Sequence, residues 1–158
     1  MLPIDRDAFA LLVKSSPAKL RLRKTLRFVP EEVANWDLRD FLIVTDKSGR
    51  EGVLLYREEV VPFTLHPRTA KSSGRVEAII CDICATWRRG TESATITFQA
   101  GDRRSVSHLV CADLDCSLHV RGLTDASVLS RSQLREDLTP DARVARLHKR
   151  LKAIIGNL

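Results

Sequence analysis

Aromatic side chains make up only 5% of this 158-residue sequence, and methionine occurs once. Single-stranded nucleic acid is held largely by aromatic stacking, so a base-reading platform would have little to build on here. No apolar run approaches the roughly 20 residues of a membrane-spanning helix, and the opening stretch MLPIDRDAFA has no charged-then-apolar leader. There is no P-loop, nucleophile elbow, H-E-x-x-H helix or convincing carboxylate pair, and the histidines, His66, His108, His119 and His148, are scattered. These absences set aside a membrane protein and the familiar hydrolases. They lead to the expectation of a cytoplasmic, non-enzymatic protein with no small-molecule substrate. Cysteine is scarce too, at four residues, but the placement of those four organises the rest of the reading.

The net charge is +6 with a pI near 9.5, and arginine outnumbers lysine 19 to 7. A guanidinium fork suits phosphates and carboxylates alike. The excess is therefore compatible with nucleic acid, ribosomal surroundings or an acidic protein partner, and equally with a solvated surface. Residues 4–14, IDRDAFALLVK, place Ile4, Ala8, Leu11 and Leu12 at helical spacing. SSPAKLRLRK (15–24) offers a second helix, with Ser16 ahead of Pro17 in its first turn. After Pro30 the pattern becomes β. DFLIVTD (40–46) and REGVLLYRE (50–58) predict a hairpin turned at Gly49, with Pro62 and Pro67 marking its exit. KSSG (71–74) predicts a loop and RVEAII (75–80) a strand. ATITF (94–98) and SVSHLV (105–110) predict a second hairpin turned at AGDR (100–103), with Ala94, Ile96 and Phe98 on one face. The C-terminal TPDARVARLHKRLKAIIGNL predicts the strongest helix, capped by Thr139 with Pro140 in the first turn. Its stripe of Val144, Leu147, Leu151, Ile154, Ile155 and Leu158 is expected to face the core, and its arginines and lysines to be solvated.

The cysteines fall in two close pairs, Cys81 with Cys84 and Cys111 with Cys116. In a reducing cytosol such pairs point to metal or redox work rather than structural disulfides. A tight C-x-x-C turn can aim both thiols at one ion. The wider pair can do the same if Cys111 ends a strand and Cys116 lies in the first turn of a helix. A thioredoxin-like redox pair would need a βαβ surround, which CDIC lacks. Unpaired core cysteines are the remaining alternative. Knuckle, hairpin, strand end and helix turn follow each other in the order of a treble-clef zinc finger. The expectation is one structural Zn²⁺ held by Cys81, Cys84, Cys111 and Cys116, with His119 nearby but not a ligand. Four thiolates fill a tetrahedron and leave no open position for water. The fold class expected is α+β: a treble clef with antiparallel β-hairpins, N-terminal helices and a C-terminal amphipathic helix. One compact domain would join a helical and hairpin segment (1–72), the zinc module (73–125) and a C-terminal helical segment (126–158).

CDICATW, the following hairpin and VCADLDCSLHVRG resemble the C-terminal treble-clef domain of the elongation factor G-binding proteins, a family that includes fusidic-acid-resistance proteins. That family shows a C-x-x-C pair followed by a Thr, matched by Thr86, and later a segment close to C-A-D-L-x-C-S-x-x-V-R-G. The latter is matched here by Cys111, Ala112, Asp113, Leu114, Cys116, Ser117, Val120, Arg121 and Gly122. His119 stands where a Tyr is common. Upstream, NWDLRDFL (35–42) resembles the family's Trp-x-x-x-Asp-Phe-Leu entry to its hairpin, so the resemblance spans roughly residues 8–125. It implies docking on elongation factor G, alone or with the ribosome and its RNA, and release of a stalled factor. Aromatic and arginine residues beside the finger, namely Trp87, Arg88, Arg89, Arg103, Arg104, His108, His119 and Arg121, are the expected partner surface. The alternative is an RNA- or DNA-binding zinc module, which the arginine content and finger architecture allow.

Overall fold

Residues 53–56, VLLY, contain no charged residue to alternate with, the pattern of a strand covered on both faces, and all four are buried. They belong to β2 (Glu51–Tyr56) in a computed structural model that describes residues 1–69, 77–101, 104–125 and 137–158. The helices are α1 (Arg6–Ser15), α2 (Leu20–Thr25), α3 (Cys116–His119) and α4 (Pro140–Ile155). The other strands are β1 (Leu42–Thr45), β3 (Glu59–Pro67), β4 (Ile79–Ile80), β5 (Trp87–Arg88), β6 (Ser93–Ala100) and β7 (Arg104–Cys111). Among the described residues the strands form a five-stranded sheet of order β1-β2-β3-β6-β7 and a two-stranded ribbon, β4-β5. The α+β class read from the sequence is the class observed. The loop expected at 71–74, the first residues of the strand expected at 75–80, and Arg103 lie outside the described residues. No helix among those described is long and apolar enough to cross a membrane.

The chain divides into two compact units, one of Met1–His66, Ile96–Ser107 and Leu158, the other of Pro67–Thr95 and His108–Asn157. In the first, β1, β2 and β3 pair antiparallel, with Val44 opposite Val53 and Leu55 opposite Val60. These residues join Phe9, Val13, Ala18, Leu22 and Leu42 in one buried cluster. Of the stripe expected in α1, Ile4 and Leu12 pack against this cluster, and the rest of the face is rotated. Phe9 and Val13 face the core while Ala8 is exposed and Leu11 is 69% exposed, because the larger aromatic side chain claims the buried side. Asp5 caps α1, accepting from the Ala8 amide at 2.7 Å. Ser16 closes that helix at its other end, and α2 starts only at Leu20, beyond Pro17.

The hairpin turned at Gly49 is present, and β3 extends it into a region where two prolines had suggested an exit. Pro62 lies inside β3, opposite Val53. The Leu65 amide donates to the Arg50 carbonyl at 2.7 Å. By the two-residue alternation of an antiparallel ladder, Pro62 then sits at a position that needs no N–H toward β2. Gly52 is required at its place for a different reason. A Cβ there would stand 2.6 Å from the Val44 carbonyl oxygen and 2.7 Å from the Phe63 ring. Gly52→Ala is expected to destabilise the protein by about 1–3 kcal/mol, seen as a lower urea midpoint. An unchanged midpoint would mean that the strands yield freely.

Candidate metal centre

All four cysteines lie in the second unit, and the local chain directions explain why they meet. In the ribbon, Ile79 pairs with Arg88 and Ile80 with Trp87, so the knuckle between β4 and β5 folds back on itself. The Cys81 amide donates to the Thr86 carbonyl at 2.9 Å, and the Ala85 amide to the Cys81 carbonyl at 2.8 Å. Ala85 takes φ 60°, a left-handed turn that costs a non-glycine residue about 1–2 kcal/mol. Cys111 is the last residue of β7 and Cys116 the first of α3, as the spacing predicted. Leu114, also left-handed at φ 56°, makes the bend between them. The Asp82 amide donates to the Leu109 carbonyl and the Leu109 amide to the Asp82 carboxylate, both at 2.8 Å, which ties the knuckle to β7.

The sulfurs converge. Cys81 Sγ is 3.8 Å from Cys116 Sγ, Cys84 Sγ is 3.6 Å from Cys111 Sγ, and all four lie within 4.8 Å of one another. A tetrahedron with metal–sulfur bonds of about 2.3 Å has edges of about 3.8 Å, so the donor set fits one zinc ion. All four cysteines are buried and none is in a disulfide. Their electrostatics also call for a cation. Hydrogen bonds from Cys111 and the other thiols drive Cys84 far below the ordinary thiol range. The hydrogen bonds around Cys116, that to Cys111 foremost, together with burial, drive it far above. Without a positive ion at the centre the group cannot ionise as a whole.

A model of the family described as FBP C-terminal treble-clef zinc-finger matches residues 6–158. The chain belongs to that family. No curated protein and no solved structure matches it.

The treble clef places the remaining expected residues unequally. Arg88 and His119 are buried, at 7% and 1% exposure, and together they hold Asp113. Arg88 Nη2 is 2.9 Å and His119 Nε2 3.4 Å from Asp113 Oδ2. Burial alone would raise the Asp113 carboxyl, but the hydrogen bond and charge of His119 and the charge of Arg88 hold it below its usual value. Burial likewise lowers His119, yet hydrogen bonding to Asp113 and Cys84 outweighs it and carries the imidazole to about 9. A protonated His119 beside Cys84 offsets part of the negative charge that four thiolates carry. Trp87, Arg89 and Arg104 are exposed. His108 is half-buried with Nδ1 at 3.4 Å from the Asp82 carboxylate, and half-buried Arg121 donates to the Ser117 carbonyl at 2.8 Å.

Two residues read as part of a solvated basic face belong here as well. Arg150 Nη1 donates to the carbonyls of Cys81 at 3.0 Å and Asp82 at 3.2 Å, and Arg146 Nη2 to that of Cys84 at 3.4 Å. They sit on α4 beside buried Leu147 and Leu151. The only hint in the sequence was their i, i+4 spacing along the edge of the apolar stripe.

Proposed function

We propose that the protein is a zinc-stabilised, non-catalytic binding module that docks on elongation factor G and promotes its release from the ribosome. One zinc, ligated by Cys81, Cys84, Cys111 and Cys116, supplies folding free energy and rigidity rather than a reactive water, since four thiolates complete its coordination. The observation that carries the zinc part is the mutual spacing of the four sulfurs. Support for the partner comes from the C-A-D-L-x-C-S-x-x-V-R-G segment at Cys111–Gly122, on which the resemblance to the factor-binding proteins rests. The docking surface then draws on the exposed members of the expected set in the second unit, Trp87 and Arg89, and on half-buried His108 and Arg121 of the same unit. Ile80, 63% exposed and directly opposite Trp87 in the ribbon, adds the apolar centre that a protein interface needs. Arg88 and His119 support this surface from beneath.

The test is capture of purified elongation factor G by the zinc-loaded protein, at low and high salt and after chelation. Capture that survives added salt, disappears with chelator and drops about tenfold or more with Trp87→Ala is the expected result. RNA binding that falls steeply with salt, with no capture of the factor, would overturn the reading in favour of a nucleic-acid module.

A further inference from the structure

The first unit carries a groove that the metal centre does not use. It has a volume of about 360 Å³ and runs along α1. Phe9 and Val13, with Leu26 and Phe28 against them, give it an apolar floor, the Phe9 and Phe28 rings packed together at 4.3 Å between centroids. The Leu26–Phe28 side is held by main-chain bonding. Leu26 pairs with Asp46, and the Arg27 amide donates to the Thr45 carbonyl at 3.0 Å.

The polar lining is entirely cationic: Arg6, Lys14 and Arg23, with no acidic residue. Arg23 is pinned across the groove from α1 by its bonds to the Ala18 and Ser16 carbonyls, at 2.6 and 2.8 Å. Among the described residues Arg6 has an exposed contact to Glu31 at 3.6 Å, the kind of pair that gives way easily. Arg6 and Lys14 stand about 12 Å apart along the helix axis, at the two ends of the apolar floor. A fatty acid has one anionic end and would press its tail against the second cation. An extended peptide of about four residues covers the same distance at about 3.3 Å per residue, and can put a carboxylate at each end.

We propose that this groove docks an acidic linear peptide that presents an apolar side chain between carboxylates. It is separate from the metal centre and from the elongation factor G reading, so either can fail without the other. The probe is a fluorescein-labelled heptapeptide, Glu-Asp-Gly-Leu-Phe-Asp-Glu, whose inner carboxylates are four residues apart, titrated into the zinc-loaded full chain and followed by anisotropy. Its counterpart with lysine at every acidic position, sodium dodecanoate and oligouridine serve as comparisons. The acidic peptide should bind saturably and the lysine peptide should not. Ala10→Trp, which fills the groove from its exposed rim, and Lys14→Glu should each weaken binding by about tenfold or more at an unchanged melting temperature. Absence of binding, binding indifferent to both substitutions, or preference for dodecanoate or oligouridine would each overturn the proposal.

Discussion

Stripping zinc from the protein, or replacing Cys111 by serine, is expected to unfold the second unit. The reason is one of magnitude. A four-cysteine zinc site contributes about 10–16 kcal/mol of apparent binding free energy near neutral pH, whereas whole domains are stable by only about 5–15 kcal/mol. Around the sulfurs, the knuckle, the bend at Leu114 and the four-residue α3 have little regular structure of their own. Two of the turns even adopt left-handed backbone without glycine, at Ala85 and Leu114. The buried cluster of the first unit, built on Phe9, Val53 and Leu55, contains no cysteine. Hydrogen exchange after chelation should therefore lose protection at Ile83, Val110 and Val120 well before Val53 and Leu54. Uniform protection with and without chelator would show that apolar packing alone sustains the second unit.

The second large effect is expected at α4. Arg146→Met with Arg150→Met removes three hydrogen bonds from charged donors to the knuckle carbonyls while keeping most of the side-chain bulk. Bonds of this type contribute about 1.5–3 kcal/mol each when partly shielded. Both Arg150 bonds come from the one Nη1 and the Arg146 bond is long at 3.4 Å, so the three together count for little more than one such bond, and a loss of about 2–4 kcal/mol is expected. Because the accepting carbonyls belong to Cys81, Asp82 and Cys84, zinc affinity should fall too, by about tenfold to a hundredfold. Competition with a chromophoric chelator measures this directly. Arg150→Lys should recover part of the affinity, since an ammonium can still reach one carbonyl. Unaltered zinc affinity in the double variant would mean that α4 is held by its apolar stripe and leaves the knuckle unaffected.

The metal centre was the most legible part of the sequence because its signal is local. Two residues between Cys81 and Cys84, and a strand end followed by a helix start around Cys111 and Cys116, constrain the thiols within a few turns of chain. The alternation of Ala94, Ile96 and Phe98 and the Thr139 cap were readable on the same grounds. What escaped depends on partners distant in sequence. Arg150 bonds a carbonyl 69 residues away, and main-chain acceptors leave no mark in a side-chain pattern. The role of Asp113 as joint acceptor for Arg88 and His119 was hidden likewise, since Arg88 lies 25 residues upstream. β3 was missed because proline is a breaker on average, while at Pro62 the ladder register leaves no bond toward β2 to break. In α1, Ile4 and Leu12 of the expected stripe do pack against the core, whereas Ala8 and Leu11 do not, because the fully buried places go to Phe9 and Val13, in one cluster with Leu42 and Val53.

One measurement bears most directly on the central claim: zinc content of the natively purified protein together with zinc-edge X-ray absorption. One zinc per chain, surrounded by four sulfurs at about 2.3 Å, is the expected result. A protein purified without metal, or a zinc with nitrogen or oxygen neighbours in place of any of the four sulfurs, would contradict it.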